Sequence, residues 1–528
     1  MMMVRTFKKI ADIFLSDIQR SAQYLLAILL LLTFVQCGEK SDNIIPDEPD
    51  PSEVVITPGP GMDLYGFIGD NDGTPIKNIV VSDGFSCTAT DAKGIYQMKK
   101  NANAKFVFFS TPAEYAVNTT SESVKMASFY SEISTTKRHD FTLKKLPAIE
   151  TSFTLLCIGD PQVTSAEEVT RFRTETMEDI KVLTQSETKP CYGLAMGDMT
   201  GDKPAFFDQM KALIGSSAIR VFTTIGNHDK VATSVTTQPR TTDAFSKVYG
   251  PVNYSFNRGN VHFVCLDNII FTDASNYSGG FTSSQVEWLK QDLSYVPKEK
   301  MVIVYYHIPI RSTSGISYRT EILSTLQGFA EVHLMCGHTH YTENYTHTSP
   351  VAAYEHIHAA ACGSWWRSTI NGDGAPNGYA VYSINGNTIT NWYYKPTNLS
   401  KDFQMRLHKG NVSFGGAYGY YNFNQADNTI VANVWNSDSS WKVEAYENGI
   451  KVANLTPMPT SMKDAWALGY HIGVLNRNPD NYSPSCKHLY LHTLVNPNAN
   501  LEIKATDRFG NVYTQNQITT DFTTAISY

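Results

Sequence analysis

Cysteine is scarce and scattered, with eight residues in a chain of 528. Apart from Cys37, the seven others (Cys87, Cys157, Cys191, Cys265, Cys336, Cys362 and Cys486) are odd in number, widely spaced and free of any C-x-x-C pair. Cys157, Cys265 and Cys336 sit inside apolar, strand-like runs. The pattern argues against a disulfide framework and a zinc–thiolate site, and reads these thiols as small buried hydrophobes. A basic excess is also missing: 43 Lys and Arg stand against 50 Asp and Glu, a formal charge of -7. Nucleic acid calls for a clustered basic face, so no nucleic-acid partner is expected. No apolar run reaches the ~20 residues of a membrane span. A disordered majority is excluded too, because 42% of residues are hydrophobic and only 18% charged.

What is present begins with a targeting segment. Arg5, Lys8, Lys9 and Arg20 precede an apolar run from Tyr24 to Val35, and Cys37 follows directly. A core this short suits a signal peptide. Residues 1–37 resemble a bacterial lipoprotein signal, in which the cysteine is lipidated and becomes the new N-terminus. Gln36 departs from the small residue usual before that cysteine. The resemblance implies a chain anchored to a membrane through Cys37 at the bacterial cell envelope, on the periplasmic side or the outer surface. An uncleaved membrane anchor is the alternative.

The length exceeds one hydrophobic core and suggests about three or four units. Residues 38–61 are rich in Pro, Asp, Glu and Gly without apolar periodicity, as in a flexible tether. Residues 62–146 alternate apolar and polar positions in "LYGFIGD", "NIVVSDG", "GIYQMKK" and "KFVFFST", with turns at Asp72-Gly73 and Asp83-Gly84. This all-β unit resembles the transthyretin-like modules that precede many secreted bacterial enzymes. From 151 to 397 short apolar strands alternate with helical stretches such as Arg171 to Leu183, "FFDQMKALI" and "SSQVEWLKQDL", the grammar of an α/β layered fold. Residues 402–528 read as a second β domain of the sandwich type, from pieces such as "NTIVANVW" and "WKVEAYENG".

Five short motifs stand in order within the α/β region: "GDPQ" (Asp160, Gln162), "GDMTGD" (Asp198), "GNHD" (Asn227, His228, Asp229), "YHIP" (His307) and "GHTH" (His338, His340). Each follows an apolar strand and delivers its polar residues past the strand's C-terminal end, where α/β folds place ligand sites. A lone Asp there is usually a helix N-cap, and a lone His a surface or satisfied core residue, the reading given to His262, His333, His356 and His358. Five motifs in sequence are a different matter. They resemble the calcineurin-like metallophosphoesterase superfamily, in a secreted bacterial branch, which implies an α/β/β/α sandwich flanked here by two all-β domains.

The resemblance implies two divalent ions, with Asp198 as bridge. Asp160, Gln162 and His340 would complete one metal site, and Asn227, His307 and His338 the other. Mixed oxygen and imidazole ligands suit zinc, manganese or iron and argue against an all-oxygen calcium cage. Two ions ~3.5–4 Å apart polarise a phosphate and lower the pKa of a bridging water towards ~7. His228 would contact the phosphate and protonate the leaving oxygen, with Asp229 orienting it. A histidine suits that task because it titrates near neutrality. Asp202 is open between partnering the second motif and capping the helix that follows. Gln162 departs from the His that most of the superfamily carries there, and an amide oxygen is the weaker ligand.

Past the last motif, "CGSWWRSTINGDGAPNGY" places Trp366, Arg367 and Asn377 in a Gly-rich polar loop. A tryptophan pair usually fills a core. The loop could also wall a substrate pocket, with Arg367 as a phosphate clamp. The expected activity is metal-dependent hydrolysis of a phosphomonoester or phosphodiester by a metal-bridging hydroxide. The alternative is a catalytically weak or inactive envelope protein whose β domains hold a glycan or protein partner. Loss of Asn227, His228 or Asp198 would favour that alternative, and all three are present.

Overall fold

The computed structural model describes residues 54–528 except 313, 412, 415–417, 422–427, 460–461 and 479–485. The targeting segment, Cys37 and most of the tether lie outside the described residues. Among the described residues, no helix is long and apolar enough to cross a membrane.

Two sheets face each other at the centre. In the first, Arg220–Thr223, Cys191–Ala195 and Ser152–Ile158 run parallel, and Gly378–Asn385 and Thr388–Pro396 continue the sheet antiparallel. In the second, Val261–Cys265, Met301–Tyr305, Glu331–Cys336 and Ala353–Ile357 run parallel, with antiparallel edges at Tyr254–Arg258 and Glu343–His347.

The period of two in a strand decides what each residue touches. Along Ser152–Ile158, Phe153, Leu155 and Cys157 enter the core shared with the second sheet, where they join Phe263, Val304 and Leu334. Leu156 and Ile158 point the other way, to a layer of helices carrying Val169, Phe172, Ile180, Met210 and Ile214. Helices Ser283–Ser294 and Arg319–Thr325 join the core on the side of the second sheet through Trp288, Leu289, Ile322 and Leu323. Two sheets with helices on their outer faces give the expected α/β/β/α order.

The first helical stretch starts earlier than its apolar spacing suggests. Ser165 caps it by accepting the N–H of Glu168, so a helix runs from Ala166 to Phe172. A π-turn over Arg173–Met177 leads into a further helix, Glu178–Ser186.

The flanking units are all-β. Near the N-terminal side, Leu64–Asp70 pairs with Ile95–Met98 and Phe141–Leu143, and a four-stranded sheet packs beside them. Their core is continuous with that of the central layers: Phe108 packs edge-on against Trp288, and Phe129 packs at a tilt against Tyr254. After the central layers, Arg406–Lys409, Thr429–Asn433 and Leu489–Thr493 form one sheet. Ile450–Asn454, Lys442–Glu447, Leu501–Thr506 and Val512–Gln515 form another. Leu407, Ile430, Val443, Ala445 and Ile503 fill the space between the two.

Candidate metal centre

Parallel strands put their C-terminal ends on one edge, and there the five motifs meet. Asp160 follows Ile158, Asp198 follows Ala195, Asn227 follows Thr223, His307 follows Tyr305, and His338 and His340 follow Cys336. The turns are tight. Asp160, Gln162, Asp198, His338 and His340 all occupy the left-handed region, with φ of 36°, 43°, 50°, 72° and 54°. Non-glycine residues adopt it at a cost of order 1–3 kcal/mol each, and such strain clusters at functional sites. The motif glycines make room for the carboxylates: a Cβ on Gly226 would stand 2.0 Å from Asp198 Oδ1, and one on Gly337 2.2 Å from Asp160 Oδ2.

The seven expected ligands converge. Asp160, Asp198 and His340 offer ligand atoms within 4.8 Å of one another, all buried. Asp198 is central: its Oδ2 lies 3.2 Å from Gln162 Nε2 and 3.3 Å from His307 Nε2, while Oδ1 accepts the His228 N–H at 2.9 Å. Asn227 Oδ1 lies 3.0 Å from both His307 Nε2 and His338 Nδ1. Both Asp160 oxygens receive the His338 N–H, at 2.9 and 3.0 Å.

These contacts fit a cation site. His307 holds Met196 O through Nδ1 at 2.8 Å, so Nε2 faces the oxygen cluster. Metal-ligating imidazoles are commonly oriented in this way by a hydrogen bond from the other nitrogen. Gln162 Oε1 and His340 Nε2 are buried without a hydrogen-bond partner, which ordinarily costs about 1–3 kcal/mol apiece. His340 Nε2 stands 3.4 Å from Asp160 Oδ1, and the Gln162 amide borders Asp198, so a divalent ion among the carboxylates would supply the missing partner. The electrostatics also call for positive charge. Burial lowers the His307 pKa, but the Asp198 and Asp160 carboxylates outweigh it and raise the value to about 9. His338 is driven down to about 3 by burial and then by His307, so it stays neutral with a free electron pair. The chemistry of the donor set, two carboxylates, two amides and three imidazoles, is that of a transition-metal site, not a calcium cage.

Asp229 behaves differently from the sequence-based expectation. It is fully buried and accepts the backbone N–H groups of Met199, Thr200 and Gly226 at 3.1, 3.1 and 3.0 Å, binding the second motif loop to the third. Burial, and then Asp198, raise its pKa to about 7. The partner that orients His228 is Asp202, whose Oδ2 lies 2.9 Å from His228 Nδ1. Asp202 is itself held by Arg240. Burial lowers the affinity of His228 for a second proton, but Asp202 and Asp198 outweigh it and the pKa is raised.

Beside the cluster opens a cavity of about 440 Å³, whose lining includes Gln162, Asp202, His228, Trp365, Arg367 and Arg477. Arg367 is among the residues that line this cavity. Trp366 and Asn377 are not: both are buried, Trp366 donating Nε1–H to His340 O at 3.1 Å and Asn377 its amide to Ser368 O at 3.1 Å. Trp365 is the tryptophan that faces the cavity. Adjacent side chains on a turn point apart, so only one of the pair can fill the core. Arg477 comes from the C-terminal β domain, and no sequence motif marks it. His262, His333, His356 and His358 are core residues with hydrogen-bond partners, for example His262 on Asp292 at 2.8 Å and His358 on Cys336 O at 2.8 Å. The seven cysteines after Cys37 are all free thiols, five of them buried.

No curated protein matches the chain. Among solved structures, a dimetal phosphatase from Danio rerio is 15% identical over 44% of this chain and 93% of its own, with a TM-score of 0.32. A purple acid phosphatase from yellow lupin (Lupinus luteus) seeds is 13% identical over 48% of this chain and 52% of its own, with a TM-score of 0.36. A 5'-nucleotidase from Candida albicans is 11% identical over 46% of this chain and 51% of its own, with a TM-score of 0.29. The family described as calcineurin-like phosphoesterase matches residues 153–342. The families of its N-terminal and C-terminal parts match residues 62–146 and 355–513. With matches across all three regions, the chain belongs to the calcineurin-like phosphoesterases.

Proposed function

We propose that the protein hydrolyses phosphoesters at a two-metal centre made of Asp160, Gln162, Asp198, Asn227, His307, His338 and His340. One observation carries this reading: Gln162 and His340, each with a buried polar atom that lacks a hydrogen-bond partner, touch the carboxylates of Asp198 and Asp160. Divalent ions bound there supply charge neutralisation for the phosphate and acidify water.

The chain's own residues do the rest. Asp198, bordered by ligands of both proposed sites, holds them in register. The remaining ring nitrogen of His228, at the cavity edge, reaches the phosphate and passes a proton to the leaving oxygen. Asp202 fixes that ring and favours its protonated form. Arg367, which lines the same cavity, holds phosphate oxygens there. Mono- and diesters are both within this chemistry.

Location belongs to the same reading. The basic leader, the apolar run and Cys37 support a lipid anchor at the cell envelope. The alternation in residues 62–146 supports a transthyretin-like spacer of the secreted bacterial branch. The test of the activity is chelation followed by return of zinc, manganese or iron, with release of phosphate or alcohol measured on a panel of mono- and diesters. Loss and metal-specific recovery are expected. Full turnover by a verified metal-free sample contradicts the mechanism, and inertness with every metal and ester favours the binding-protein alternative.

A further inference from the structure

We propose that Tyr277 and Trp365 form an aromatic recognition surface for the alcohol part of the substrate, so that the preferred esters carry a planar, aromatic group close to the scissile phosphate. The proposal deepens the phosphoesterase reading and rests on it for the position of that phosphate.

Large aromatic rings are mostly buried in a folded chain, yet these two are each 40% exposed. Both stand against the metal cluster. The Tyr277 ring lies 6.2 Å from that of His338 and nearly perpendicular to it. The Trp365 ring lies 5.3 Å from that of His340 and 6.4 Å from that of His228. One ring therefore borders a ligand of each proposed metal site, and Trp365 also borders the proposed proton donor. Tyr295, Tyr318, Tyr418 and Tyr420 are exposed too, but among the described residues none of them has a ring contact with the cluster.

Each ring is carried by a braced turn. Tyr277 belongs to the hairpin of Ile269–Phe271 and Tyr277–Gly279 and packs at 5.0 Å on buried Phe271. The hairpin is seated on the turn that bears ligand His307. Asn268, just before it, accepts the N–H groups of His307 and Ile308 at 3.2 and 3.0 Å and donates to Ile308 O at 2.6 Å. Ile269, Phe271 and Ile308 share one apolar cluster. In the hairpin loop, Ala274 O accepts Arg240 Nε–H at 2.8 Å, and the same arginine holds Asp202, the partner of His228. Trp365 sits in a turn that the Ser368 N–H closes on Gly363 O at 3.2 Å, and its neighbour Trp366 donates to His340 O. Both rings are thus tied to the turns that carry the ligands, as a preorganised recognition surface requires.

The polar groups nearby favour an aromatic occupant over a sugar, whose hydroxyls call for carboxylate acceptors. The two carboxylates that line the cavity beside Trp365 are already engaged. Glu168 accepts the N–H and hydroxyl of Thr164 at 2.6 and 2.8 Å, and Asp202 is shared by His228 and Arg240. An aromatic face needs no such acceptors, and stacked or edge-to-face contact with Tyr and Trp adds to what burial alone contributes. The volume, about 440 Å³, suits a small organic group.

Benzyl phosphate and cyclohexylmethyl phosphate test the proposal, because they are similar in size and in the basicity of the departing alcohol but differ in planarity. The metal-loaded full chain should favour benzyl phosphate in kcat/KM by about fivefold or more, equivalent to ~1 kcal/mol. Trp365→Leu and Tyr277→Leu should each lower that ratio at unchanged metal content, and Trp365→Phe and Tyr277→Phe should keep most of it because a ring remains. A ratio near one, or one that either leucine variant leaves intact, overturns the proposal. Calorimetric titration with 2-phenylethylphosphonate and 2-cyclohexylethylphosphonate, in which a carbon replaces the scissile oxygen, reads the same preference without turnover. Tighter binding of the phenyl compound, lost in the leucine variants, upholds the proposal, and equal binding overturns it. If neither ester is hydrolysed while the phenyl phosphonate binds more tightly, the phosphoesterase reading fails and the aromatic surface stands.

Discussion

Replacing Gly337 by alanine isolates the geometry of the metal cluster from its chemistry, because no ligand is changed. Gly337 lies outside the left-handed region, so alanine meets no backbone penalty there. Its Cβ, however, would stand 2.2 Å from Asp160 Oδ2 and 3.1 Å from Asp160 Cγ. Ordinary contact begins near 3.4 Å, so the carboxylate must retreat by about 1.2 Å. Asp160 is fully buried and also anchors the His338 N–H with both oxygens, so the retreat drags the His338–His340 turn with it. Misplacement of about 1 Å can cost ~10²-fold in rate. Gly337→Ala should therefore lower kcat/KM by about that factor or more and reduce bound metal in elemental analysis. Gly386→Ala is the control: it lies at φ 65° in the turn between Gly378–Asn385 and Thr388–Pro396, with nothing within 4 Å of an added Cβ. It should cost about 1–2 kcal/mol of stability and leave metal content intact. Full metal content and unchanged kcat/KM in Gly337→Ala would refute the argument that this glycine makes room for a ligand.

Other perturbations probe separate parts of the account. His228→Ala should lower kcat by ~10²–10⁴-fold with metal retained, and less for nitrophenyl esters, whose leaving groups depart without a proton. Equal losses on both ester types would make His228 a positioning residue. Asp202→Asn should reproduce a share of that loss with the same dependence on leaving group, since Asp202 holds the ring; a loss independent of the leaving group would separate the two residues. Trp288→Ala should destabilise the protein by about 3–5 kcal/mol in denaturant unfolding, because the indole is fully buried against Phe108 and donates to Ser82 Oγ at 2.9 Å. A change under ~1 kcal/mol would show that the N-terminal β unit is not coupled to the central layers through this residue. Cys37→Ser should release the protein from the membrane fraction or leave its leader uncleaved; unchanged partitioning and mass would exclude lipidation.

The cluster was legible in the sequence because parallel strands translate order along the chain into proximity. Every strand that ends in Gly-Asp, Gly-Asn or Gly-His delivers its polar residues to the same edge, and the apolar run before each motif marks the strand. The orienting partner of His228 was not legible in the same way. Asp229 is its neighbour in sequence, but in the short turn Asn227–Asp229 the carboxylate points back to three backbone N–H groups, and Asp202 arrives from the preceding motif. Adjacency cannot tell which of two nearby aspartates faces the ring. The pair Trp365 and Trp366 raised the same problem, since composition shows two tryptophans but not which one is buried. Arg477 lay beyond reach for another reason. It joins the cavity only through packing of the C-terminal domain, and periodicity within a strand or helix carries no information about such long-range contacts. The early start of the helix at Ala166 could have been read from Ser165, a preferred N-cap residue followed by Glu167 and Glu168.

Anomalous diffraction from crystals of the manganese- or zinc-loaded protein, paired with elemental analysis, tests the two-metal claim most directly. The account predicts two peaks ~3.5–4 Å apart. Asp198 should lie between them, Asp160, Gln162 and His340 should surround one, and Asn227, His307 and His338 the other. Asp198→Asn should lose metal and turnover together. An active protein with no metal among these seven residues, or with both ions bound elsewhere, would contradict it.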